Sequence, residues 1–267
     1  MRRSTERILT THTGSLPRPP EVVELLLAEQ KNPGAKEAFM TSPSPGQIAR
    51  YLKNQHYPTD EAYLYALADV MAREYRAIVD AGLVLQLDCP DLALSRHMVF
   101  AHLSLEEFRK VITTHVEALN HAVKDIPPER MRMHICWAST QGPHHKDVPL
   151  KDIVDIVLKG RPQALSFPGA NPRHGHEWKV WKDVKLPDGK IIIPGVIDST
   201  SNFVEHPELV ADRIVQYARV VGSENVIAGV DCGFGTFAGR LQVDSKIVWM
   251  KLASLTEGAR LASKELW

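Results

Sequence analysis

With 267 residues, 44% of them apolar and 24% charged, and a formal net charge of zero, the chain is long enough for a sizeable core and has the balance of an ordinary globular protein. That neutrality excludes the electrostatic footprint of a nucleic-acid or membrane-surface binder, and no apolar run approaches the ~18–20 residues of a membrane span. No signal-peptide core follows the charged start Met1-Arg2-Arg3, and the three scattered cysteines, Cys89, Cys136 and Cys232, are too few for a disulfide scaffold, so a cytoplasmic, reducing home is expected.

Residues 8–11 are β-prone and run into the polar turn His12-Thr13-Gly14-Ser15. Pro20 opens a short helix over residues 21–30, and Asn32-Pro33-Gly34 breaks it. Residues 38–41 read as a second strand, emptying into the turn Ser42-Pro43-Ser44-Pro45-Gly46. Leu64, Leu67, Met71, Tyr75 and Ile78 recur at three- and four-residue spacing and predict a long helix over residues 60–81, with Thr59 as N-cap and Gly82 just past its end. Residues 83–87 form a strand ended by Asp88-Cys89-Pro90-Asp91, and residues 105–123 an amphipathic helix.

The next strand, residues 131–137, ends in His134 and Cys136. Strand side chains at i and i+2 share a face, so an imidazole and a thiol can look at one borderline cation such as Zn²⁺. The alternative for the pair is a packed thiol beside a hydrogen-bonded histidine. A helix over 150–159 follows, then a strand at 164–167 and a loop carrying Asn171, Arg173, His174, His176 and Glu177. Residues 191–196 lead to Asp198, Pro207 starts a helix that closes at Gly222, residues 226–230 deliver Asp231 and Cys232, and a last helix spans about 245–264.

Strands alternate with helices of ~10–20 residues without a linker, which means βαβ units and a parallel sheet. About seven strands and six helices are expected, in one barrel domain over residues 1–267. Gly233-Phe234-Gly235 has no third glycine in register for a dinucleotide fingerprint, so the α/β class narrows to a (β/α)8 TIM-type barrel over a doubly wound sheet. In such a barrel the chemistry sits where strands end. Ser15, Asp88, Cys89, His134, Cys136, Asn171, His174, Asp198, Asp231 and Cys232 all fall there. Each cysteine lies just past the apolar part of a strand, a pattern that favours metal or thiol chemistry.

Six ordered motifs are similar to one family: Thr-Gly-Ser-Leu-Pro (13–17), Gln-Leu-Asp-Cys-Pro-Asp (86–91), His-Ile-Cys-Trp (134–137), Asn-Pro-Arg-His (171–174), Pro-Gly-Val-Ile-Asp (194–198) and Asp-Cys-Gly-Phe-Gly (231–235). Together they resemble the cobalamin-independent methionine synthase family, and more closely the single-barrel proteins related to its C-terminal catalytic domain. The resemblance covers nearly the whole chain. It implies a TIM-type barrel whose zinc ion binds and activates a thiol, with a methyl group passing from a methylfolate, or in some relatives methylcobalamin, to homocysteine. A small-molecule thiol and a methyl donor are the partners it implies. It matches His134, Cys136 and Cys232 to zinc ligands, and Ser15 and Asp88 to the groups that hold the amino-acid part of homocysteine. A carboxylate at Asp88 also suits an ammonium partner, with a loop cap or structural ion pair as its alternative. His12, Asn171 and Arg173 are further candidate substrate contacts, although His12 could equally hold the Thr13–Ser15 turn. Asp198 and His174 are the candidate catalytic groups.

The chain departs from the family at four places. Pro168 stands where the family has a glutamate ligand, which leaves that position to Cys89, His174, Asp231 or solvent. Gly175 replaces a glutamate, and Thr200 replaces a histidine proton donor. Residues 20–36 are a shortened connection in place of a further strand with an acidic substrate-binding residue. A barrel short of one unit closes imperfectly, exposes sheet edges, or borrows cover from another subunit, so a homo-oligomer is one expectation. Two other functions are alternatives: a metal-independent enzyme nearer the uroporphyrinogen decarboxylase relatives, using Asp88, Arg173 and Asp198 on an acidic substrate, and a non-catalytic remnant.

Overall fold

Short apolar runs become strands when both their faces are covered, and the runs of this chain do so. The strands are β1 (Leu9–Thr10), β2 (Phe39–Pro43), β3 (Val84–Asp88), β4 (Met131–His134), β5 (Ala164–Phe167), β6 (Ile191–Ile197) and β7 (Ile227–Val230), and the last five are buried along nearly their whole length. In the computed structural model, which describes residues 1–14, 37–235 and 242–267, they form one parallel sheet in the order β1-β7-β6-β5-β4-β3-β2. Pairing of the first strand with the last, Leu9 opposite Ile227, curls the sheet towards closure. This is the TIM-type plan one strand short: among the described residues no strand joins β1 to β2. Ser15 and the helix expected over 21–30 lie outside the described residues.

The helices are α1 (Pro45–Tyr51), α2 (Asp60–Asp80), α3 (Leu105–Ala122), α4 (Val154–Val157), α5 (Val180–Asp183), α6 (Pro207–Val221) and α7 (Ser245–Leu266). Thr59 Oγ1 accepts from Ala62 N at 3.0 Å to cap α2, which stops where Gly82 takes φ +85°. Its buried residues Leu64, Ala68, Met71, Tyr75 and Ile78 keep the spacing read from sequence. Ser104 and Glu107 close a capping box on α3. No helix among the described residues is long and apolar enough to cross a membrane.

Three elements differ from expectation. Residues 44–46 start α1 instead of forming a turn only: Ser44 caps Gln47 N, and Pro45 sits in the first turn, where its missing N–H costs nothing. The helix expected over 150–159 is a 3₁₀ turn followed by the four-residue α4, because Ile153, Val154, Ile156 and Val157 are β-branched and buried on every side. β4 ends at His134, not at residue 137. Ile135 N still donates to Ser166 O at 2.9 Å, but Trp137 then buries its indole, donating to Val148 O at 2.8 Å, and Ala138 takes φ +83°.

Inside the sheet, Gln86 and Arg132 are register partners. Gln86 donates to Thr13 O and Thr41 Oγ1. Arg132 donates to Thr11 Oγ1 at 2.9 Å and His12 O at 3.1 Å, and its guanidinium lies 3.4 Å over the Phe39 ring. These contacts bridge β1 and β2 from within, where no backbone ladder does. Burial lowers the pKa of Arg132 to about 9.

Candidate metal centre and its rim

At the C-terminal ends of β4 and β7, His134, Cys136 and Cys232 bring one nitrogen and two sulfurs within 4.8 Å of one another. Among the described residues this is the one His/Cys/Asp/Glu group so arranged. His134 Nδ1 is 3.1 Å from Ser166 Oγ, which orients the ring, and its Nε2 is buried without a hydrogen-bond partner. An orphaned buried nitrogen is costly unless something absent from the protein chain satisfies it. Cys136 Sγ–H donates to Cys232 Sγ at 3.6 Å. That bond holds the Cys232 thiol well below its usual range against the cost of burial, with help from His134, and raises Cys136. Burial opposes charging of His134, but Cys232 and Asp88 hold its pKa up. A borderline nitrogen, two sulfurs and a preoriented ring are the donor set of a zinc site, so these residues fit that ion.

The other candidates for the position that Pro168 leaves open are committed elsewhere. Cys89 is fully buried and donates to Leu87 O at 3.7 Å, outside the cluster. Asp231 accepts from Gly169 N and Ala170 N at 2.8 Å and from Asn171 N and Nδ2 at 2.9 Å, so it braces the loop after β5. His174 has both nitrogens engaged: Nδ1 to Glu177 at 2.7 Å and Nε2 to Asp147 at 3.0 Å. Three protein donors therefore face a position with no fourth side chain among the described residues, the pattern of a site that admits substrate.

Asp88 lies opposite His134 in register at the end of β3. Burial raises its pKa to about 6 against the pull of His134. His12 Nδ1 donates to Gly14 O at 2.9 Å, and burial lowers its pKa. This bond ties the ring to the chain two residues on. Asn171 spends its amide on Asp231 and its carbonyl on Arg173 N and His174 N, and Arg173 reaches outward to His145 O at 3.4 Å.

Beside the cluster opens a cavity of about 630 Å³, lined by Trp137, Pro168, Arg173, His174, Asp198 and the 84%-exposed Phe203 among others. His174 packs 4.3 Å from the Trp137 ring. Burial works against its charge, but the two carboxylates outweigh that and raise its pKa to about 9. His144 Nδ1 also donates to Asp147 at 2.8 Å, and His97 lies 3.2 Å from its other oxygen, so three rim loops meet on one buried carboxylate. Sequence reasoning missed Asp147. The spacing of His144 and Asp147, three residues apart, was the available signal. Asp198 Oδ1 accepts from Thr200 N at 2.9 Å and Thr200 Oγ1 at 2.8 Å.

No family model matches the chain. It is 26% identical over 233 residues to the methionine synthase of Saccharolobus solfataricus, covering 85% of this chain and 59% of that protein. It is 26% identical over 248 residues to the methionine synthase of Pyrococcus horikoshii, covering 92% of this chain and 63% of that one. The chain thus spans about three fifths of the length of these curated relatives. Among solved structures, the fold is similar to a B12-independent methionine synthase from Shewanella sp. W3-18-1 in complex with selenomethionine, with TM-score 0.68, 18% identity and coverage of 95% of this chain and 68% of that one. A putative vitamin-B12 independent methionine synthase from Listeria monocytogenes follows with TM-score 0.57, 18% identity and coverage of 96% and 72%.

Proposed function

We propose, for a chain whose relatives and fold support a cobalamin-independent methionine synthase-like family, that it transfers a methyl or similar alkyl group to a small-molecule thiol of the homocysteine type in a zinc-dependent reaction. The single observation that carries this reading is the His134–Cys136–Cys232 cluster, with its orphaned Nε2 and no fourth side chain among the described residues. His134, Cys136 and Cys232 would hold the ion. A bound zinc supplies a thiol that is ionised at neutral pH, where a free thiol is only a few per cent ionised.

The chain's own residues do the rest. Ser166 fixes the His134 ring so that Nε2 keeps its aim. Asp88, facing His134 across the register, pairs with the ammonium of the amino-acid substrate, and Ser15 is the family's other contact to that part. The cavity beside the cluster takes the donor, with Trp137 held from behind by the His174–Asp147–Glu177 brace and with Asp198 and Arg173 as its charged walls. Methyl transfer needs nucleophile and donor in line, and a rigid wall serves that. Thr200 stands in place of the family's histidine, and it lines that cavity together with Asp198.

Metal analysis of the purified protein tests the reading. About one zinc per chain is expected, lost in Cys232→Ser and in Cys136→Ser. Protein with both thiols reduced that takes up no zinc near neutral pH would sink it.

A further inference from the structure

A lysine stands in the core-facing stripe of α7. The stripe reads Val248, Lys251, Ser254, Leu255, Gly258, Ala259 and Ala262, and Lys251 is fully buried. A charge removed from water in such a place is costly unless it is paired. Its partner is Glu205, whose Oε2 accepts from Nζ at 2.9 Å and whose side chain is 8% exposed. The other oxygen of Glu205 faces the site: Oε1 accepts the backbone N–H of Asp198 at 2.8 Å. Ser254, one turn along α7, donates its hydroxyl to Glu205 O. Glu205 is thus held by α7 at its carboxylate and its backbone, and it holds Asp198 in turn.

Asp198 follows directly on β6, and its carboxylate accepts from Thr200 N and Thr200 Oγ1 through Oδ1. It lines the large cavity, so its orientation decides where negative charge stands on that wall. We propose that Lys251 and Glu205 are positioning residues that set the Asp198 carboxylate at the donor cavity from the far side of the barrel wall. An apolar pair at these places would pack as well without this job, since replacing a buried ion pair by apolar side chains is often neutral. The kinetic part of the test rests on the transfer reading above, and the structural part does not.

The double variant K251M/E205M leaves no buried charge behind and so keeps the fold. Crystal structures of it and of the wild type read the positioning whatever the reaction. The Asp198 carboxyl is expected to leave its place on Thr200, and an unmoved carboxyl would overturn the proposal. In methyl transfer, kcat/KM for the donor is expected to fall about tenfold or more, as misplacement of a cavity group costs, with KM for the thiol and zinc content nearly unchanged and the melting temperature lowered by only a few degrees for the Asp198 N–H that Glu205 no longer accepts. K251R beside the native Glu205, which keeps the ion pair, is expected to retain most of the wild-type kcat/KM. In a D198N background the same pair of substitutions adds nothing further. Equal losses in both backgrounds, or unchanged donor kinetics, would also overturn it. A wild-type protein inactive with every donor refutes the transfer reading instead, and the crystal structures then decide this one.

Discussion

Replacing His174 by glutamine is expected to remove a pH-dependent share of stability. His174 is 4% exposed at its side chain and lies between Glu177 at 2.7 Å and Asp147 at 3.0 Å. Its pKa is raised from 6.5 to about 9 in the fold. A raised histidine stabilises the folded state fully below the unfolded value, and the benefit is lost as pH climbs through the folded value. The gap of about 2.5 pH units, at ~1.4 kcal/mol each, is worth roughly 3 kcal/mol. Urea unfolding of wild type and His174→Gln from pH 6 to 9.5 checks it. The stability difference between the two should be largest at or below pH 6.5 and shrink by roughly 2–3 kcal/mol towards pH 9.5. Taking the difference cancels other groups that titrate in the same window. A gap that stays constant across this range, or widens with pH, would mean that His174 is neutral between its two carboxylates.

Gly195→Ala would put a Cβ 2.1 Å from Asp231 Oδ1 and 2.6 Å from its Cα, so melting temperature should fall by at least ~6 °C, corresponding to about 2–3 kcal/mol of overpacking; an unchanged melt would show that β6 and β7 can part. Asp231→Asn turns an amide NH₂ on the donors of Asn171, strands one or two of them, and should cost roughly 2–4 kcal/mol by urea unfolding; a cost under about 0.5 kcal/mol would refute the brace. Asp88→Asn should raise KM for an amino-acid thiol roughly tenfold or more while zinc content stays at the wild-type level, and an unaltered KM would remove Asp88 from substrate binding. Phe203→Ala, on an 84%-exposed ring, should change stability by no more than about 0.5 kcal/mol, and a larger loss would mean that the rim loop packs on it.

Much of the plan was legible because local signals agreed with the fold. The three- and four-residue stripe of α2, the Thr59 cap and Gly82, the proline and glycine that bracket α6, and the apolar runs of β3, β5, β6 and β7 all survive with boundaries moved by a residue or two, and β4 keeps its start but ends three residues early. Where reading failed, two signals competed. Residues 44–46 carry turn chemistry that is also helix-start chemistry, and only the space above Asp91 settles which is used: a Cβ on Gly46 would sit 2.1 Å from that carboxylate. The segment 150–159 has helical spacing but β-branched residues, and burial on all sides removed the reason for a long amphipathic helix.

The amino-acid order alone determined that His134 ends a strand, that Cys136 and Cys232 lie just past two strand ends, and that the class is a parallel α/β barrel, because strand period and cysteine placement are local properties of the chain. Tertiary structure alone decided that the three donors meet within 4.8 Å, that His134 Nε2 has no partner among the described residues, and that Cys89, Asp231 and His174 turn away to other bonds. It also decided that a lysine in an apolar stripe reaches Glu205 and, through it, Asp198. The meeting of Cys136 with Cys232 and of Lys251 with Glu205 joins residues 96 and 46 positions apart, and local sequence spacing carries no record of such contacts.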